Sequence, residues 1–361
     1  MKVVVFGGSG LVGRATAAHF ADEPGWEVTA VSRRPVELAG VEHVPLDLTD
    51  EEACRSAIAS RAFAGTTHVV FAALQEAPDL YAGWLDRDLM ERNLTMFRAA
   101  MEPLVEHCRS TLEHVSLLQG AKAYGFHVGR SPVPGKEDDG RVEHDNFYFL
   151  QEDRLRDLAA GESWSWTVLR PQIVFGDSVG SPMNLLPAIG AYAAMERAQG
   201  RALGFPGGER SVQEAVDVRL LARALAWAAA APEARDEVFN VTNGDVFDWH
   251  EVWPAIADAL GMEVGDPAPQ RLTDTMPERS TEWASIVDRH GLRAPRDLHA
   301  FVGSSWQYGD ILLGAMGERP LPALLSTVKI RRAGFDDCID TEVMFREWFA
   351  RLQASGMLPP R

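Results

Sequence analysis

Three glycines spaced by three, Gly7, Gly10 and Gly13, separate the β-branched run Lys2-Val3-Val4-Val5-Phe6 from the helix-forming stretch Arg14-Ala15-Thr16-Ala17-Ala18. In that setting the early glycines allow a tight turn and a close approach to a pyrophosphate, and the last lets helix and strand pack. The helix N-terminus then offers free N–H groups to the anion. A dinucleotide is expected here, held by Gly7, Gly10, Leu11, Val12 and Gly13. A second strand, Trp26–Val31, ends in Ser32-Arg33-Arg34. An NAD-selective chain usually carries an acidic residue at that place to hold the ribose 2′-hydroxyl. Guanidinium groups suit a 2′-phosphate that a carboxylate would repel, so NADPH is the expected cofactor. A third strand is expected at Val44–Leu48, where Asp47, beside Leu48, is placed to accept from the adenine amino group. A fourth, Thr67–Ala73, ends in the small Ala72 and Ala73, which leave room for the cofactor at the edge where open parallel sheets bind ligands.

The short-chain dehydrogenase pattern has a tyrosine and a lysine four residues apart on one helix face, and no such pair follows the fifth strand, expected at Glu113–Leu118. The chain offers Gln119-Gly120-Ala121-Lys122-Ala123-Tyr124 and then Asn146-Phe147-Tyr148-Phe149-Leu150-Gln151-Glu152-Asp153 at the start of a helix. Glu152, not lysine, stands four residues after Tyr148.

At these motifs the sequence resembles the progesterone 5β-reductase/iridoid synthase-like (PRISE) family of extended, atypical short-chain dehydrogenases. That family carries its lysine in a loop of the type LQTGxKHY and its tyrosine in NFYYxxED; the segments here are LQGAKAY and NFYFLQED. The resemblance continues through Arg170–Gly176, Met183–Leu185 and Phe239–Trp249, and on to Arg332–Phe335 and Asp340-Thr341. The lysine loop is one residue shorter than the family's, and Phe149 replaces its second tyrosine, so the first tyrosine maps onto Tyr148. The resemblance implies Tyr148 and Lys122 as the catalytic pair, and adds Pro171, Ile173 and Val174 to the cofactor contacts. Tyr308 aligns with an aromatic that faces substrate.

An ammonium near a phenol, whose reference pKa is about 10, favours the phenolate and adds positive potential where charge develops on a carbonyl oxygen. With hydride delivered to the β-carbon of an enone the pair would stabilise an enolate; with hydride delivered to the carbonyl carbon, an alkoxide. The apolar candidates Trp84, Phe126, Phe147, Met183 and Tyr308 suit a small or medium apolar α,β-unsaturated carbonyl substrate. The expected function is therefore NADPH-dependent conjugate reduction, with 1,2-reduction of aldehydes or ketones as the close variant. A sugar-nucleotide epimerase or dehydratase would need polar sugar contacts, and a non-catalytic NADP(H) sensor has no need of Tyr148 and Lys122. His127 is weighed as a loop histidine, and Glu137-Asp138-Asp139 as a solvated loop. No metal-ligand spacing is found among the histidines.

The elements that must position these groups imply an α/β fold: a Rossmann-type doubly wound parallel sheet with helices on both faces and a smaller C-terminal α/β substrate-binding cap. The cofactor domain is expected at residues 1–180, with segments around 211–245 returning to it, and the cap mainly at 181–361. An alanine-rich helix is expected from Arg219 to Ala231, introduced by Ser211–Val218. The chain has 361 residues and a net charge of −17, a surface that repels nucleic-acid backbones and anionic lipids. Three scattered cysteines, without a CxxC, suit a reducing cytoplasm. A homodimer is the expected assembly.

Overall fold

The computed structural model describes residues 1–129 and 132–361. Seven parallel strands form the central sheet: β1 (Lys2–Phe6), β2 (Glu27–Ser32), β3 (Val41–Pro45), β4 (His68–Phe71), β5 (His114–Leu118), β6 (Ser165–Pro171) and, after shorter elements, β10 (Glu237–Val241). Their spatial order is β10-β6-β5-β4-β1-β2-β3. The order reverses direction between β1 and β4, and a parallel sheet opens its ligand crevice at the C-terminal ends of strands flanking such a point.

Alternation along β1 explains the layering. Val4 and Phe6 join a core with Phe63, Phe71, Phe97 and Leu104 under the helices α2 (Glu51–Ile58) and α4 (Arg87–His107). Val3 and Val5 face the other side, with Ala17 and Phe20 of α1 (Leu11–Asp22) and Leu220 and Leu221 of α7 (Val218–Ala230). A third core, rich in aromatics, fills the C-terminal half around Tyr192, Trp249, Trp253, Trp283, Phe345 and Trp348. No helix of the described residues is long and apolar enough to cross a membrane.

Two local expectations are corrected. The third strand ends at Pro45, so Asp47 and Leu48 lie in the turn beyond it, with Asp47 accepting from the backbone and hydroxyl of Thr49 at 3.0 and 2.8 Å. Residues 212–217 are not a helical lead-in. They form the short strands β8 (Val212–Gln213) and β9 (Ala215–Asp217), paired respectively with β11 (Phe247–Asp248) and β7 (Ile173–Phe175). The helix begins only after Asp217, whose buried carboxylate caps it by accepting from Arg219 N at 2.8 Å. A side-chain cap of this kind marks a helix start more firmly than composition does.

Between β8 and β9, Glu214 turns inward and accepts from Leu325 N at 2.7 Å. It thereby ties down a strap, residues 320–326, that is also held by Ser211 on the Pro320 carbonyl, by Gln172 on the Ala323 carbonyl and by Gly135 on Leu324. Burial, reinforced by the charge of Asp245, pushes the Glu214 carboxyl up to about 7 against one opposing backbone hydrogen bond. The folded state therefore binds this proton more tightly than the unfolded chain does, and stability falls as pH rises from the ordinary carboxyl value through about 7. Glu214→Gln keeps an acceptor for Leu325 without a charge. In urea unfolding it should stabilise the protein by about 1–3 kcal/mol at pH 8 and by little at pH 4.5; equal effects at both pH values would refute the linkage.

Candidate active site

A single cleft of about 770 Å³ follows the C-terminal edge of the sheet from the glycine turn to the helix Ser305–Leu313. Every residue assigned from the sequence to the catalytic pair, the cofactor or the substrate lines it except Gly13. Gly13 sits behind the turn, where a Cβ would collide with the Gly7 carbonyl. Gly7 has φ +84°, and a Cβ there would lie 2.7 Å from the Ala72–Ala73 peptide, so turn and strand end touch backbone to backbone. Gly10 precedes α1 without a side-chain cap, leaving the first N–H groups of that helix open toward the cleft.

At the end of β2, the Ser32 hydroxyl donates to the Arg34 carbonyl at 2.7 Å, and Arg34 reaches the Ser9 carbonyl at 3.5 Å. The two arginines thus flank the glycine turn with their charges exposed. Thr49 holds the Asp47 carboxyl below the usual range through two hydrogen bonds, and Arg33 adds to the effect against a small burial penalty. Open N–H groups, a cradle that side chains would fill and two exposed guanidinium groups on one rim fit the phosphates of a dinucleotide.

The other half of the cleft holds Lys122 and Tyr148. Lys122 projects from a short 3-10 turn, Ala121–Tyr124, and its ammonium lies 4.8 Å from the Trp84 ring centre and 5.5 Å from those of Phe147 and Tyr148. Its counter-ion is Glu76, at 3.4 Å from Nζ. Burial lowers the Lys122 pKa; the Glu76 charge and hydrogen bond oppose this. Tyr148, at the start of α5 (Phe147–Ala159), has its pKa raised, first by burial and then by the charge of Glu76 and by Tyr308. The expectation that the ammonium would draw the phenol toward phenolate is therefore corrected. Burial and the Glu76 charge both favour the neutral phenol, so Tyr148 is set to donate its O–H, while Lys122 remains an ammonium paired with Glu76. Tyr308 is raised by burial and Glu76 as well, and is a second neutral phenol.

Two anchors bring the lysine loop and the tyrosine helix together. Asn146 caps α5 by accepting from Tyr148 N at 3.0 Å, while its amide donates to the Lys122 carbonyl at 3.0 Å. One turn on, Glu152 is buried and accepts from Gln119 at 3.0 Å, Arg170 at 3.3 Å and Arg156 at 2.9 Å. Gln119 also donates to the Tyr148 carbonyl at 3.0 Å and accepts from Arg170 at 2.8 Å. The position four residues after the tyrosine thus fastens α5 to β5 and β6. Gly120 leaves the space that the phenol uses, for a Cβ there would stand 3.3 Å from the Tyr148 oxygen.

His127 does not line the cleft; it packs at 6.3 Å from Trp84 and 4.8 Å from His144, and burial with the Lys122 charge lowers it to about 3. It is a neutral packing ring. Glu137 is not solvated like its neighbours, since it accepts from Asn240 N at 2.8 Å. The sequence reading missed Glu76 altogether. Its available signal was a charged residue in a βα loop just past the C-terminal end of a buried parallel strand, where ligands bind.

The chain belongs to the PRISE-like Rossmann-fold domain family, whose model matches residues 58–359. It is 30% identical to an (S)-8-oxocitronellyl enol synthase of Nepeta racemosa, over 99% of this chain and 92% of that protein. It is 28% identical to a 3-oxo-Δ(4,5)-steroid 5β-reductase of Arabidopsis thaliana, over 99% and 92% respectively. Among solved structures, a Bifidobacterium longum UDP-glucose 4-epimerase in complex with NAD+ and UDP shares the fold, with a TM-score of 0.66, 16% identity and 99% of each chain covered.

Removing Glu152 would leave the Arg170 guanidinium, with only 7% of its side chain exposed, without its carboxylate. Breaking a buried pair from one side costs about 3–5 kcal/mol. Glu152→Ala is expected to lose stability on that scale in urea unfolding, whereas Asp153→Ala, whose carboxylate pairs with Arg141 at the surface, should lose under about 1 kcal/mol.

Proposed function

We propose that this member of the PRISE-like family is an NADPH-dependent reductase of small or medium apolar α,β-unsaturated carbonyl compounds, working by conjugate reduction. The observation that carries the reading is the Tyr148 phenol with the Lys122 ammonium 5.5 Å from its ring centre, in a cleft continuous with the glycine turn. The names of its relatives, an enol synthase and a Δ(4,5)-steroid 5β-reductase, support the same chemistry.

A reduced nicotinamide supplies a hydride when bound. The glycine turn and the N-terminus of α1 would hold its pyrophosphate, Arg33 and Arg34 a 2′-phosphate, and Asp47 the adenine. Pro171, Ile173 and Val174, on the far wall of the cleft, would border the nicotinamide end. Tyr148 donates a hydrogen bond to the substrate carbonyl oxygen, and this bond strengthens as the oxygen becomes an enolate. Lys122 adds positive potential to the same region, and Trp84, Phe126, Phe147, Met183 and Tyr308 enclose the apolar part of the substrate and exclude water. The reading also assigns the protein to a reducing cytoplasm, in keeping with its three free cysteines.

NADPH oxidation is to be followed over cyclic and linear enones, enals, saturated ketones and aldehydes, with products identified by mass and NMR. Saturated ketones from enones are expected; allylic alcohols would establish carbonyl reduction instead. Tyr148→Phe should slow turnover by at least ~100-fold, the scale of losing a positioned proton donor, with NADPH binding nearly intact. Undiminished turnover would remove Tyr148 from the site.

Arg33→Ala combined with Arg34→Ala should weaken NADPH by roughly 10-fold or more and NADH far less, since each charge-assisted phosphate contact contributes about 1.5–3 kcal/mol at most. Calorimetric titration with both nucleotides tests this, and an unchanged preference would refute the 2′-phosphate assignment.

A further inference from the structure

At the substrate end of the cleft stands a carboxylate that an apolar reductase pocket does not require. Among the described residues lining the cleft the acidic ones are Asp47 and Glu76. Asp47 is taken up by Thr49 at the nucleotide end. Glu76 has only 5% of its side chain exposed and faces Lys122 at 3.4 Å.

Its loop is clamped. Asn93, itself buried, accepts from Gln75 N at 2.9 Å and donates to the Gln75 carbonyl at 3.0 Å, matching both polar groups of the preceding residue. Farther along, Gln307 accepts from Leu80 N at 2.8 Å and Ser304 donates to the Pro78 carbonyl at 3.2 Å. The carboxylate is therefore delivered to one place by the surrounding structure. A carboxylate sunk among aromatic side chains is costly even when paired. Two phenols kept as neutral donors, a carboxylate and an ammonium in one apolar cavity make a set that can handle an oxyanion and a proton on carbon together.

We propose that Glu76 is the catalytic residue that delivers a proton to the carbon α to the substrate carbonyl, with Lys122 as the source of that proton. The inference rests on the reductase reading and deepens it, because conjugate reduction needs a hydride at the β-carbon and a proton at the α-carbon. With the new C–H bond formed at the β-carbon, the alkene π pair moves to make an enolate, whose oxygen Tyr148 supports. The ammonium of Lys122 gives a proton across the 3.4 Å contact to the Glu76 carboxylate. The resulting carboxylic acid forms the C–H bond at the α-carbon as the C=O double bond returns, leaving a carboxylate. Lys122 recovers its proton from solvent. Burial makes Lys122 a readier proton source than an ordinary lysine. The product leaves as a saturated ketone or aldehyde with a defined α-centre, rather than as an enol.

The test uses 2-methyl-2-cyclohexenone and 2-methyl-2-pentenal with NADPH and the full chain, reading the enantiomeric composition of the product at early times. Wild type is expected to give one enantiomer at the α-carbon. Glu76→Gln should consume the enone more slowly, having lost the counter-ion of Lys122, and the product it does form should be racemic, because its enol would ketonise in water; Glu76→Asp, one methylene short, should give an intermediate excess. One enantiomer from both wild type and Glu76→Gln, or racemic product from both, overturns the proposal. So does complete loss of enone consumption in Glu76→Gln, which would mark Glu76 as a structural counter-ion of Lys122. If wild type consumes neither these compounds nor any enone of the wider panel, the reductase reading itself fails, and the proposal with it.

Discussion

A buried ammonium ion organises the reactive half of this molecule. Taking a lysine head group out of water costs several kcal/mol unless nearby groups replace its hydration. Lys122 receives the faces of Trp84, Phe147 and Tyr148 and the carboxylate of Glu76, each a partial substitute for water. These come from three pieces of chain separate from the lysine's own turn: the loop after β4, the short helix Leu80–Trp84 and the start of α5. The requirement to satisfy one charge thus draws the βα loops of the sheet together over a single point. The cleft is the space that remains between them and the cofactor edge.

Placing the lysine on a loop changes what the tyrosine helix must do. With tyrosine and lysine on one helix face, a single rotation of that helix sets both groups. Here the residue one turn after Tyr148 is Glu152, and its bonds to Gln119 and Arg170 run into the sheet. The helix is therefore fixed by a buried ion pair beneath it, while the ammonium approaches from another element. Asn146 links the two, through Tyr148 N and the Lys122 carbonyl. The ammonium is then free to pair with a group from a third element, Glu76 of the loop after β4.

This division also explains which parts were legible in the sequence. The strand–glycine–helix start was readable because its constraint is local: Gly7 and Gly13 are needed within a few residues of the atoms they must avoid. The strands expected at Trp26–Val31 and Thr67–Ala73 were readable from their apolar runs. Lys122 and Tyr148 were found through motifs, and the structure brings both to the cleft. Glu76 was not found, since its importance comes from Asn93, Gln307 and Lys122, all distant in sequence. The lead-in at 211–217 misled for a similar reason. Its residues pair with β7 and β11, partners that no local pattern announces, whereas the helix that follows, expected from Arg219, runs Val218–Ala230.

Net charge is the remaining apparent conflict, because a chain of −17 is asked to take up a cofactor bearing several phosphates. Range resolves it. At physiological salt, exposed charges beyond about 8 Å are largely screened, so a bound phosphate responds to the groups next to it. On the rim of the glycine turn those are Arg33, Arg34 and the open N–H groups of α1. A polyanion is different, since it must lie against a long stretch of surface and meets the acidic excess all along it. The expected exclusion of nucleic acid thus rests on the sum of the charges, and the proposed uptake of a phosphorylated dinucleotide on where two of them stand.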